Sequence, residues 1–288
     1  MINRRDFLKL SAAAAFVASM PVGGQAFSGY GLNKPQMIRS FRSLDNESVF
    51  NASSAYFDKI RRFDEAFTDD IIADPVEFAL IESCWRKTSS IMRYVGFGNF
   101  NVLNFDEAIN YANNVDTLTP FTKSELDYLE TLFARDASAY GFYGEKIFDS
   151  LTDRVDSDKM IKVPGSGHYI YNLSLSTYKK ITAEMDSLIL TSGVRSVVKQ
   201  LHLFLNKAME TKGNLSMASR SIAPVGYSYH GIGDFDVGIK GWGFRNFTDK
   251  FATTKEYAML MQRGYMRIRY DRKNPYGVRF EPWHVKVV

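Results

Sequence analysis

The sequence predicts an α+β protein, with a mostly helical N-terminal part and a C-terminal part in which strands and helices come in mixed order. Three observations carry this. From about residue 40 to 150, apolar residues recur at helical spacing between recognisable caps. Around Val163-Pro164-Gly165-Ser166-Gly167-His168-Tyr169, glycine, proline and serine break that pattern. Beyond it, short strand-like and helical stretches follow one another in an order that fits no Rossmann or barrel repeat.

The first element is an address. Arg4, Arg5 and Lys9 precede an apolar run from Leu10 to Met20, and small residues follow around Gly24-Gln25-Ala26. A transmembrane helix needs ~20 apolar residues, so this run is too short for a stable anchor. It fits a cleavable export signal over residues 1–26. Its paired arginines followed by Phe7-Leu8-Lys9 resemble a twin-arginine signal. Cargo of that route crosses the membrane folded, which implies a periplasmic or secreted protein that folds, and loads any metal, before release. No later run is long enough to span a bilayer.

The helical part, residues 27–155, has no task legible in its residues. Asp74-Pro75 reads as a cap and first helical position, with Gly96 as the stop. Thr122-Lys123-Ser124-Glu125 has the form of a capping box, with a helical run to Gly141. Trp85, Tyr94 and the many phenylalanines read as core, and Cys84 as a buried free thiol. As the single cysteine, Cys84 rules out an intrachain disulfide and a cysteine-rich zinc cage. The net charge is +4, half of it supplied by the three cations and one anion of the N-terminal segment. This leaves no electrostatic case for nucleic acid.

Residues 156–288 hold the chemistry. A helix is expected from Ser176 to Met185 and a strand from Ser187 to Thr191. The strand runs through Ser192-Gly193-Val194-Arg195-Ser196 into a helix with Val197, Val198, Leu201, Leu205 and Ala208 on its apolar face. This junction puts Arg195 at the mouth of the sheet, suited to a carboxylate or a developing oxyanion; a surface arginine near a helix start is the bland alternative. His168 sits in the turn, where it could line a site, although a loop histidine is more often simply solvated. Residues 213–229 read as a long loop, Thr254–Gln262 as a helix, and Tyr265–Tyr270 as a strand before a closing strand.

The closing stretch alternates apolar and polar residues until Pro282 interrupts it, with Glu281 and His284 three apart. Residues three apart face opposite sides of an ideal strand, so a bend at Pro282 is needed to bring them together. Upstream lies Ser228-Tyr229-His230-Gly231-Ile232-Gly233-Asp234-Phe235-Asp236-Val237-Gly238. His230, His284 and one aspartate, Asp234 or Asp236, make a three-ligand set for a catalytic zinc with one position open for water. Glu281 is left to act as general base. The motif His-Glu-x-x-His is absent, and Ser228 lacks the Gly-x-Ser-x-Gly elbow.

Three motifs in order resemble the VanY-type D-Ala-D-Ala carboxypeptidases, zinc peptidases of the group that includes lysostaphin and the sonic hedgehog domain. They are Ser192-Gly193-Val194-Arg195-Ser196 with Gln200, the run from Ser228 through His230 and Gly233 to Asp236-Val237-Gly238, and Glu281-Pro282-Trp283-His284. The resemblance covers roughly 160–288. It implies a small antiparallel sheet carrying a zinc cleft, Zn2+ held by His230, Asp236 and His284, and Glu281 as base. It further implies that Arg195, Gln200 and Ser228 contact the substrate. Asp236 is preferred to Asp234 because Val237-Gly238 continues the family pattern, although the spacing from His230 is one residue short. Val194 stands where the family usually has tyrosine. The expected activity is trimming of the terminal D-Ala from peptidoglycan stem peptides, D,D- or L,D-specific. The alternatives are an endopeptidase cutting crosslinks or stems, and a non-catalytic, zinc-containing wall-binding module.

Overall fold

The computed structural model describes residues 46–288, with side chains described from residue 54. The expected signal at 1–26 and the first part of the helical region therefore lie outside the described residues. The described residues group as one compact unit.

The helical part comprises α1 (Asn46–Arg61), α2 (Pro75–Val95), the single turn α3 (Phe97–Phe100), α4 (Phe105–Asn114) and α5 (Lys123–Ala134). The caps are those the residues demand. Asp74 accepts from the amides of Val76 and Glu77 at the head of α2, and Thr122 and Glu125 close a reciprocal capping box at α5. Asn104 and Glu107 form a second box at α4 that the sequence reading passed over. Cys84 is fully buried, and burial pushes its thiol up to about 12, the state of an inert core residue. Tyr94, expected in the core, is instead 52% exposed, with its ring centroid 5.7 Å from that of Tyr111.

The second part contains a hairpin, β1 (Met160–Val163) and β2 (His168–Tyr171), then α6 (Asn172–Ala183), β3 (Leu188–Ser192), α7 (Val197–Glu210) and α8 (Leu215–Ser219). β4 (Phe235–Ile239), α9 (Lys255–Gln262) and β5 (His284–Val285) follow. Helix α6 starts four residues earlier than expected, at Asn172, and α8 lies inside the stretch read as loop. Residues 265–270 are not a strand: Ile268 forms a lone bridge to Val285, because β5 is only two residues long and offers no longer edge to pair with.

The apolar face of α7 does not pack on the sheet. Val198, Leu201, Phe204 and Leu205 join Ile81, Phe100, Leu129 and Phe133 of the helical part in one core. Trp85 Nε1 donates to Asn206 Oδ1 at 3.0 Å across the same helix pair. The sheet β3-β4-β5 is antiparallel throughout and has its own core on one face. Phe235, Val237 and Ile239 of β4 point to Ile181 of α6 and Leu260 of α9. By the strand period of two, Asp236 and Gly238 point to the other face. Gly238 is obligatory there, since a Cβ would meet the Asn246 side chain at 2.5 Å and Thr191 at 2.7 Å.

Candidate metal centre

The face of the sheet away from its core brings the sequence-marked residues together. Asp236 is registered against His284 on one side and Ser192 on the other. His284 reaches this position through a turn in which its amide donates to the Glu281 carbonyl at 3.1 Å, with Pro282 at the second position, where its fixed φ is favoured. His230 comes from a one-turn 3-10 helix, Tyr229–Gly231, that leads into β4.

His230, Asp236 and His284 are all buried, and their ligating atoms lie within 4.8 Å of one another. His230 Nε2 is 3.4 Å and His284 Nδ1 is 3.2 Å from Asp236 Oδ1, an oxygen with no hydrogen-bond partner. Zinc bonds of ~2.0–2.2 Å at tetrahedral angles put ligand atoms ~3.3–3.6 Å apart, so these residues fit a tetrahedral ion with one open position. The remaining ring nitrogens are taken. His230 Nδ1 donates to the Gly193 carbonyl at 2.9 Å, which leaves the Nε2 lone pair facing the site. His284 Nε2 donates to Asp234 Oδ2 at 3.0 Å, which leaves Nδ1 facing it.

Asp234 is otherwise engaged. It precedes β4, pairs with the Arg269 guanidinium, and accepts from the Val287 amide at 2.8 Å. Burial works against its charge, but His284 and Arg269 outweigh it and hold the carboxyl well below the usual range. Asp236 is likewise held low against its burial by the two histidines. Burial lowers His284's affinity for a proton, but Asp234 and Asp236 overcome that and raise its pKa to about 9. Burial and the nearby Arg195 lower His230. A divalent cation here would take the place of the proton that the two aspartates draw to His284.

Glu281 stands beside this triangle, with Oε2 3.8 Å from His284 Nδ1 and Oε1 3.7 Å from Arg279 Nε. Its burial raises the carboxyl to about 7, with Arg279 and His284 holding it from going higher. Arg195 immediately precedes Ser196, the cap of α7. Its Nη1 donates to Gln200 Oε1 at 3.0 Å and its Nη2 to Ser192 Oγ at 3.2 Å, and it lies 3.9 Å from Asp236. The Nε has no partner. Gly193 is required for this path: a Cβ there would collide with the Tyr169 carbonyl, which also accepts from the Val194 amide at 2.7 Å.

These residues open on a cavity of about 470 Å³ walled by Arg195, Ser228, His230, Asp236, Glu281 and His284. Gln200, expected to touch substrate, does not line it. Its side chain is fully buried behind Arg195 and donates to the Ala223 carbonyl, so both its ends are used inside the protein. His168, expected in solvent, does line it. It starts β2, is 7% exposed, stacks edge-on against Phe97, and is pushed down to about 4 by burial and by Lys199. Lys199 also lines it and was not singled out from sequence, where it reads as one more polar residue on a helix. A second cavity of about 150 Å³, beside Tyr56 and Arg220, shares none of these residues.

Comparison with known proteins agrees with the motifs. Residues 170–288 match the family described as VanY, D-alanyl-D-alanine carboxypeptidase, and residues 1–21 match the twin-arginine translocation signal. The chain is thus addressed for export across the membrane, and no helix among the described residues is long and apolar enough to cross one. No curated protein matches. Among solved structures, the LdcB LD-carboxypeptidase is 22% identical with a TM-score of 0.37, covering 44% of this chain and 63% of that one. The chain thus spans less than two thirds of that relative. A variant of the vancomycin-resistance D,D-pentapeptidase VanY in complex with Zn(II) is 23% identical, TM-score 0.37, covering 45% and 78%. VanYB in complex with D-alanine-D-alanine is 22% identical, TM-score 0.38, covering 49% and 81%. Residues 170–288 thus resemble the VanY family, on a chain whose residues 1–21 match a twin-arginine export signal.

Proposed function

We propose that the protein is a zinc-dependent carboxypeptidase that removes the terminal D-Ala from peptidoglycan stem peptides after export, with D,D- or L,D-specificity. The observation that carries this reading is the buried triangle of His230, Asp236 and His284 with Glu281 beside it. In this reading residues 156–288 are the peptidase unit, and 27–155 supply the helices against which α7 packs. Bound zinc would lower the pKa of a water to ~7 and polarise the scissile carbonyl.

The chain's own groups do the rest. Glu281 takes a proton from the attacking water and delivers it to the leaving amine, so that water is added across the C–N bond. A carboxyl near neutrality can do both, because neither proton transfer is far uphill. Gln200 and Ser192 fix the Arg195 guanidinium at one edge, leaving Nε for a substrate oxygen. Ser228 is a neutral polar contact in the same wall. The low-dielectric cavity strengthens each of these interactions.

Incubation of purified muropeptides with the mature protein, followed by mass spectrometry with and without a chelator, tests the proposal. Loss of one alanine from pentapeptides or tetrapeptides, abolished by chelation and restored by zinc, is the expected result. Splitting of crosslinked dimers without trimming of free stems would replace it with an endopeptidase. Zinc binding with no product from any stem would leave a wall-binding module.

A further inference from the structure

We infer that Lys199 reads a second carboxylate on the substrate, separate from the group held by Arg195, so that the preferred peptide carries a free acidic side chain. This rests on the peptidase reading above and adds a specificity determinant to it.

Lys199 lies in the first turn of α7, one turn beyond Arg195, and both line the cavity that contains the metal-ligand triangle. The residue is only 8% exposed. Its ammonium rests 4.6 Å from the ring centroid of Phe97 and 5.6 Å from that of Phe100. Such contacts hold a cation in place without neutralising it. Among the described residues no carboxylate forms an ion pair with it. The charge it feels is of its own sign: Arg195 adds to burial in lowering Lys199 to about 8, and Lys199 in turn helps keep His168 neutral.

The rest of the wall offers no compensation. Further along α7, Lys207 pairs with Glu210 at 2.9 Å, Arg279 faces Glu281, and Asp236 faces the histidines. A buried cation without a counter-charge is unfavourable, and an apolar side chain at 199 would pack against two phenylalanines better. An anion entering with the ligand supplies the missing partner. In a cavity that admits peptides, that anion is a carboxylate of a residue on the acyl side of the scissile bond. A peptide with that group amidated would leave the ammonium unpaired, and discrimination follows from that penalty.

The test compares two synthetic stem peptides that differ only in a free or amidated side-chain carboxylate. Each is titrated by calorimetry against the zinc-loaded mature protein and against its Lys199→Met and Lys199→Arg variants. Glu281→Gln is introduced in all three proteins so that binding is read without turnover. The parent is expected to bind the acid peptide about tenfold or more tightly than the amide. Lys199→Met should bring the two within about twofold, with Lys199→Arg retaining the preference, which a merely structural role at this position would not predict. Equal binding of both peptides, binding of neither, or a preference that survives in Lys199→Met overturns the inference. Trimming of the acid peptide by the active protein is scored separately, because its absence would count against the peptidase reading and not against Lys199.

Discussion

The imidazole of His284 donates through Nε2 to Asp234 Oδ2 at 3.0 Å, so Asp234 holds the far edge of a ring whose near edge faces Asp236. Two aspartates two apart in sequence thereby have unlike surroundings. Asp236 offers a bare oxygen to the cavity, while Asp234 is filled by Arg269, His284 and the Val287 amide. Loss of an outer partner of this kind costs about 10–100-fold in metal affinity. Asp236→Ala should therefore leave purified protein with far less zinc than Asp234→Ala at the same free zinc, as read by elemental analysis. The reverse order would exchange the two assignments.

Glu281→Gln keeps the shape of the side chain but cannot accept a proton. We expect zinc content to stay near the parent's and trimming of stem peptides to fall by about 10²–10⁴-fold. Hydrolysis at the parental rate would remove Glu281 from the mechanism.

Gly193→Ala places a methyl group against the Tyr169 carbonyl on the segment whose own carbonyl orients His230. Forced overpacking of this kind typically costs about 1–3 kcal/mol. A lowered melting temperature together with weakened zinc binding is expected. An unchanged melting curve would show that the strand β3 can move away at no cost.

Asp70 accepts from Arg220 at 2.8 and 3.0 Å, from Asn214 at 2.7 Å and from the Phe67 amide at 3.0 Å, tying the segment before α2 to α8. Burial opposes its charge, but these partners hold its carboxyl below the usual carboxylate range. Because the folded value is depressed, the stability it contributes is complete above the unfolded value of ~3.9 and is lost as pH falls through the folded one. Asp70→Asn, which leaves Arg220 without its charge partner, should destabilise by about 3–5 kcal/mol at neutral pH in denaturant titration. Its effect should shrink as the parent is acidified below the carboxylate range. A constant difference across that range would assign the loss to packing.

Much of the local structure is legible because it depends on neighbours in sequence. The Asp74 and Thr122 caps, the α7 start at Ser196 and the turn at Pro282 each follow from side chains within a few residues of the backbone groups they satisfy. Where a long-range partner decides, the residues mislead. The segment 265–270 alternates like a strand but has only a two-residue edge to meet. His168 and Tyr94 exchange their expected surroundings, since burial depends on what packs over them and not on their own polarity. Gln200 shares a motif with Arg195, yet faces inward because Ala223 takes its amide.

By itself, then, the sequence determined that two histidines, an aspartate and a glutamate would be offered by two short segments behind an export signal, because strand period, caps and turns are local properties. Only the tertiary structure decided which aspartate keeps an unpartnered oxygen, that Gln200 stands behind Arg195, and that Lys199 shares the cavity. Those outcomes depend on β4 beginning at Phe235 and on α7 leaning on the helical core, and both are set by packing between residues far apart in the chain.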